Sequence, residues 1–277
     1  YYAGYDSLAS LVKALREGFV YTGQYSEFRK QSHGASSRDI PGERMIVFTQ
    51  NHDQVGNRLP SERIASYLPF EALKLWIGLA ALSPYVPMIF MGEEYAEPAL
   101  FNFFTDFSGS ELIEAVDKGR KEQFGLGADQ DFPHPQELQT FNDSKLDHTL
   151  KTRGKHRVML AFHRELFRLR RDVPTLAALD KDNMEVIGFE ANDVLYWRRW
   201  HAHEEVVAAY HIGDGETWVI LPVPEGRWRV LLDSAALRWQ EDAVAPDTPE
   251  AERFVESSGT VELTLAGYAF IVLIRAE

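Results

Sequence analysis

Between residues 45 and 91 the chain runs through an apolar strand, a helix apolar almost all round and a second apolar strand. Both strands stop abruptly. Met45 to Phe48 runs into Thr49-Gln50-Asn51-His52-Asp53-Gln54-Val55-Gly56-Asn57-Arg58, and Tyr85 to Met91 runs into Gly92-Glu93-Glu94. Short strands without polar alternation are those of a parallel sheet covered on both faces. The stretch Pro69 to Leu82 supplies the crossover helix, which makes one β-α-β unit. In barrels built from such units the chemistry sits at the carboxyl ends of the strands, where the loops converge on one cleft. The spacing therefore puts residues 49–58 and 92–94 at the functional end of such a fold.

The rest of the chain divides by texture. Leu8, Leu11, Val12 and Leu15 form a helical stripe, with Asp6 or Ser7 placed to cap it. Residues 18–44 are polar and glycine-rich with interleaved aromatics and read as a long loop. Residues 95–156 carry few periodic apolar positions and a single short helix, Glu111 to Val116, after a serine cap. So long an excursion suits a segment that covers a site. Arg157 to Arg171 is a helix with Met159, Phe162, Leu166 and Leu169 on one stripe, ended by Pro174.

Beyond about residue 180 short alternating strands take over, at 185–189, 194–200, 205–212, 217–221, 227–232, 260–265 and 268–273. Turn residues such as Asn192-Asp193, Gly213-Asp214-Gly215 and Ala266-Gly267 separate them. This is an antiparallel sandwich of about seven strands, with Gln240 to Ser258 as a long surface connection. The expected class is α/β plus all-β: residues 1–175 as the C-terminal segment of a (β/α)8 barrel, then residues 176–277 as a β-sandwich. A whole barrel takes roughly 250 residues, and only two of its strands are readable here. The others are expected before Tyr1, in a chain that opens Tyr1-Tyr2-Ala3-Gly4 without an initiator methionine. Barrel edges left open in this way favour self-association.

Charge and composition narrow the partners. A net charge of -13 repels phosphate backbones and anionic lipid, so neither nucleic acid nor a membrane is an expected partner. A neutral glucan meets no such repulsion. With no cysteine, disulfides and thiolate metal sites are excluded; the expected location is the cytoplasm. His201 and His203 flank a turn beside Glu204 and Glu205, where solvated hairpin residues are a better reading than a metal clip.

His52 and Asp53 offer a hydrogen-bonding ring and a carboxylate, a set suited to vicinal hydroxyls. A fixed carboxylate also stabilises the positive charge that develops when a glycosidic bond breaks. Gln54, Asn57 and Arg58 either line the same cleft or shape the turn. Glu94 follows the second strand and is placed to reach the cleft; Glu93 is expected to pair with arginines at the rim. Tyr21, Tyr25, Phe101, Phe103 and Phe104 are candidate platforms for sugar rings, with loop packing as the plainer role for each.

Motif and layout together resemble the alpha-amylase family of glycoside hydrolases. Phe48 to Arg58 looks like that family's seventh-strand motif in a narrow Asn-His-Asp-Gln-Val-Gly-Asn form, and Ser83 to Tyr95 looks like its eighth strand and following turn. Phe101 to Phe107, Ser144-Lys145-Leu146-Asp147 and the terminal sandwich are also similar. The resemblance implies that Asp53 stabilises the transition state and that His52 binds hydroxyls of the same sugar. It implies a retaining hydrolase acting on a maltooligosaccharide-type glucan, at the α-1,4 bond next to a terminal trehalose unit, with no organic cofactor and no required metal. The family's nucleophilic Asp and acid Glu would both precede Tyr1, so the 277 residues alone are expected to be inactive. A non-catalytic carbohydrate-binding module and a fragment of a related branching enzyme or transferase remain alternatives.

Overall fold

A computed structural model describes residues 4–127, 132–248 and 251–276. Tyr1, Tyr2 and Ala3 lie outside the described residues, as do parts of the two segments read as long connections, 128–131 and 249–250.

Helix α1 (Leu8–Glu17) starts where the Ser7 side chain accepts a hydrogen bond from the Ser10 amide, 3.1 Å, and ends at Gly18 in the left-handed region. Stripe and cap are those expected. Residues 18–44 are not all loop: β1 (Thr22–Ser26) and β2 (Gln31–Gly34) form an antiparallel hairpin. Only Ser26 of the two strands is buried, so no alternating apolar signal marks them.

Strand β3 (Ile46–Val47) leads to a short helix, α2 (His52–Gly56), and then to α3 (Phe70–Ala81) and β4 (Val86–Pro87). β3 and β4 pair in parallel, Ile46 opposite Val86 and Val47 opposite Pro87. Both are shorter than expected, and they are not fully covered. Ile46 is 62% exposed and Phe48 39% exposed. The cause is one-sided pairing: β3 has β4 on one edge and, among the described residues, no strand on the other. Helix α3 is buried almost all round, as its composition requires.

The long excursion holds more helix than expected. α4 (Ser110–Gln123) is a 14-residue helix preceded by Gly109, with no side-chain cap from a serine, and α5 (Leu138–Asn142) follows. Pairs four residues apart, Lys121 with Asp117 at 3.2 Å and Lys118 with Glu122 at 3.8 Å, support α4 in place of an apolar stripe. α6 (Gly154–Asp172) buries Met159, Phe162, Leu166 and Leu169 as its stripe predicts, and Pro174 opens α7 (Pro174–Ala177).

The remaining strands are β5 (Met184–Phe189), β6 (Val194–His201), β7 (Glu204–His211), β8 (Thr217–Leu221), β9 (Gly226–Asp233), β10 (Phe254–Ser257), β11 (Val261–Leu265) and β12 (Phe270–Arg275). β10 lies inside the segment expected to be a connection. Six strands form one antiparallel sheet in the order β10-β9-β12-β7-β6-β5, and β11 pairs with β8 alone. One face of the large sheet packs on the small one through Tyr196, Val207, Val219, Trp228 and Leu273. The other face, with Trp197, Ala208, Tyr210 and Phe270, packs on α3 and α6 in a core that runs without a break into the helical part.

Two buried cations tie the parts together. Lys74 of α3 donates to the carbonyls of Ser234 and Trp239, both at 2.7 Å, and pairs with Glu71 at 2.6 Å. Arg199 of β6 donates to the carbonyls of Leu82 and Ala178 at 2.7 and 2.6 Å. Among the described residues no helix is long and apolar enough to cross a membrane.

Candidate active site

The chain leaves β3 and at once builds a small rigid turn. The Asn51 side-chain oxygen accepts from the amides of Asp53 at 2.8 Å and Gln54 at 3.3 Å, and the Gln54 oxygen accepts from the Asn51 amide at 2.9 Å. This reciprocal pair satisfies donors that a helix start leaves open. It is written into the local sequence, since Asn and Gln stand three residues apart. Asp53 sits in the first turn, where the positive end of the peptide dipoles suits a carboxylate. His52 Nε2 lies 3.4 Å from Asp53 Oδ1, with the two side chains 68% and 69% exposed.

Asp53 follows the tip of a parallel strand, but it opens to solvent and lines none of the cavities described here. The largest of these, about 410 Å³, is lined by apolar residues of α1 and α3 with Val47, Phe48 and Thr49.

Three other predicted site residues are occupied by structural contacts. Gln54 closes the helix cap. The Asn57 oxygen accepts from Arg120 Nη1 at 2.8 Å, and Arg120 Nη2 also donates to the Gly56 carbonyl at 2.6 Å. Glu94 accepts from the Gly92 amide at 2.9 Å and lies 3.7 Å from Lys151 Nζ. Arg58 is exposed and its guanidinium stacks 4.2 Å from the centre of the Tyr67 ring. His52 and Asp53 are therefore left as the open pair of the motif, with Arg58 flanking it.

Glu93 differs most from expectation. It is 7% exposed and meets no arginine at the rim. One carboxylate oxygen accepts from the Thr49 hydroxyl and the other from the Phe90 amide at 3.1 Å. Burial pushes its pKa up to about 7, against the pull of those hydrogen bonds. A neighbouring small cavity is lined by Gln50, Glu93, Glu97 and His163 among others. Burial pushes the His163 imidazole down to about 4.

Sequence reasoning also missed the residues that hold this end of the molecule together. Arg63, 1% exposed, donates to the carbonyls of Ala99 and Met91 at 2.8 and 2.7 Å. Glu97, also 1% exposed, accepts from the Tyr95 hydroxyl and the Asp147 amide, both at 2.8 Å. Arg120 carries α4 onto α2. Lone charged residues in polar segments carried no signal that set them apart. Among the described residues no group of three or more His, Asp or Glu is arranged to hold a metal ion.

No protein-family model matches the chain. It is similar to curated proteins named malto-oligosyltrehalose trehalohydrolase. The one from Saccharolobus solfataricus is 41% identical over 172 residues, covering 62% of this chain and 29% of that protein. The one from Rhizobium sp. strain M-11 is 39% identical over 203 residues, 72% and 34%. The one from Deinococcus radiodurans is 35% identical over 219 residues, 77% and 36%. The chain thus spans about a third of the length of the curated relatives it matches.

Among solved structures, a "Putative alpha Amylase from Salmonella typhimurium" superposes with a TM-score of 0.78 at 31% identity, over 100% of this chain and 43% of that one. A pullulanase from Anoxybacillus sp. LM18-11 shares the fold, with a TM-score of 0.53 at 14% identity over 97% of this chain and 30% of that one.

Proposed function

Taking as premise that this chain belongs to the alpha-amylase family of glycoside hydrolases, we propose that it is the C-terminal part of a trehalohydrolase. β3 and β4 are neighbouring strands of a (β/α)8 barrel in the longer protein, residues 1–175 are barrel and residues 176–277 are the sandwich behind it. The substrate is a maltooligosyltrehalose, cleaved with retention at the α-1,4 bond next to the terminal trehalose.

The observation that carries the reading is the Asn-His-Asp-Gln turn at the end of a parallel strand, in a chain about 40% identical to proteins named for this reaction. Within it, Asp53 faces the glucosyl ring as the ring turns cationic, and its fixed charge stabilises that state more than the neutral substrate. His52 holds hydroxyls of the same ring, and Arg58 borders the subsite. Asp53 stands open because the sugar and the opposite wall of the cleft cover it in the whole protein. Retention needs two further carboxyl groups roughly 5 Å apart. No residue of these 277 is assigned to either role.

The test is product analysis with the full-length protein. Incubation with maltooligosyltrehalose should release trehalose and shortened maltooligosaccharide, while the 277-residue polypeptide alone should release neither. New α-1,6 branches would indicate a branching enzyme instead. Glucan binding that survives Asp53→Ala, with no hydrolysis by the full-length protein, would indicate a binding module.

A further inference from the structure

The parallel ladder that aligns β3 with β4 is very short. It joins two residue pairs, Ile46 with Val86 and Val47 with Pro87, and is flanked by Val86 donating to the Met45 carbonyl at 2.9 Å and Met88 donating to the Val47 carbonyl at 2.8 Å. The functional turn starts at Asn51, four residues after Val47. Something other than the ladder must fix the strand ends, because a carboxylate that stabilises a transient charge has to be held in place beforehand.

Glu93 stands at that point. Its two oxygens take the Thr49 hydroxyl from one strand end and the Phe90 amide from the other. Gln50, 2% exposed, is pinned from the opposite side, its oxygen accepting from the Ile64 amide at 3.2 Å. The cavity beside Glu93 and Gln50 measures about 10 Å³, near the room one water needs. It is too small for the carboxylate to swing into. His163, 3% exposed, closes it from α6, and its Nε2 has no protein partner. Burying a carboxyl carries a desolvation cost that an apolar side chain would not, so its use at a strand junction calls for a geometric reason.

We infer that Glu93 is a positioning residue for Asp53: it clamps the ends of β3 and β4 and thereby sets the direction in which the Asn51–Gln54 turn presents its carboxylate. The inference rests on the catalytic reading of Asp53, but the clamp has a readout of its own. A glutamine fits the same two partners, its amide NH2 donating to the Thr49 oxygen and its carbonyl accepting from the Phe90 amide. The clamp therefore needs the shape and hydrogen bonds of the side chain rather than its charge.

The experiment compares Glu93→Ala, Glu93→Gln, Thr49→Val and Asp53→Asn in the full-length protein. It measures kcat and KM for trehalose release from maltooligosyltrehalose and amide hydrogen exchange across residues 49–57. Glu93→Ala should lower kcat about 10- to 100-fold, the scale of a small misplacement of a reacting group, with KM within about twofold. Exchange in residues 49–57 should quicken while the core strands keep their protection. Glu93→Gln should restore both to near wild type. Wild-type kcat and exchange in Glu93→Ala would overturn the inference, as would Glu93→Gln losing as much as Glu93→Ala. Should Glu93→Ala fail to fold, Thr49→Val decides: it must lower kcat and quicken the same exchange, and wild-type behaviour overturns the clamp. Full activity in Asp53→Asn would remove the catalytic reading, whereas the exchange data still decide for or against the clamp.

Discussion

In the C-terminal sheet, β7 and β12 are hydrogen-bonded on both edges and packed on both faces, against β8 and β11 on one side and against α3 and α6 on the other. β3 and β4 share two residue pairs and leave Ile46 62% exposed. The sheet is positioned by its ladder and core, so its geometry is over-determined. The strand ends that carry the proposed site are held by a few side-chain hydrogen bonds: Asn51 with Gln54, Glu93 with Thr49, Arg120 with Gly56 and Asn57. Substitutions in the first region should cost stability. In the second they should cost geometry.

The largest stability effect is expected where the two sheets meet. Trp228 is 0% exposed, and Trp228→Ala should destabilise the protein by about 3–5 kcal/mol in urea unfolding. The folded fraction should retain its kcat. A kcat lost in proportion to stability would show that the two regions are not held by separate means.

Lys74→Ala comes next, at about 3 kcal/mol, because it strands the Glu71 carboxylate and two buried carbonyls. Lys74 joins the helical core to the 234–239 turn, so the loss should appear as looser hydrogen exchange on both sides of that junction.

The smallest net effect in the wild type is a pH dependence, because two opposed contributions nearly cancel; it sharpens the contrast because both groups line the cavity behind the strand ends. Glu93 is raised from 4.5 to about 7, so its contribution to stability is full below pH 4.5 and is lost as pH rises through 7. His163 is lowered from 6.5 to about 4, so its contribution is full above pH 6.5 and is lost as pH falls through 4. Each amounts to about 3 kcal/mol over its window. Between pH 4.5 and 6.5 the two slopes oppose each other. Glu93→Gln should therefore leave a stability that rises with pH in that window, and His163→Leu one that falls. Parallel slopes in the two variants, from thermal melts across the window, would refute this pairing.

How much of this was legible before the structure follows from what holds each element. α1, α3 and α6 rest on apolar periodicity, and all three were readable. So were the strands with buried faces in the large sheet. β10 was not, because Phe254 to Ser257 sits in a charged segment and only Ser257 is buried. The length of α4 was hidden for a related reason: it is supported by charge pairs and by Arg120, not by an apolar stripe. At the site, the Asn51–Gln54 cap is local and could be read. The bond from Thr49 to Glu93 spans 44 residues, and nothing in the pair Glu93-Glu94 says which one turns inward. The exposure of Asp53 was equally unreadable, since it depends on which strands flank β3.

The central claim is that the charge of Asp53, and not merely the shape of its turn, stabilises the cationic sugar. Asp53→Asn in the full-length protein tests it most directly, because the replacement keeps the size of an exposed side chain whose one ionic contact among the described residues is its neighbour His52. The account predicts a fall in kcat of about 10²- to 10³-fold, with KM and the melting temperature nearly unchanged. A kcat within about threefold of wild type would contradict it.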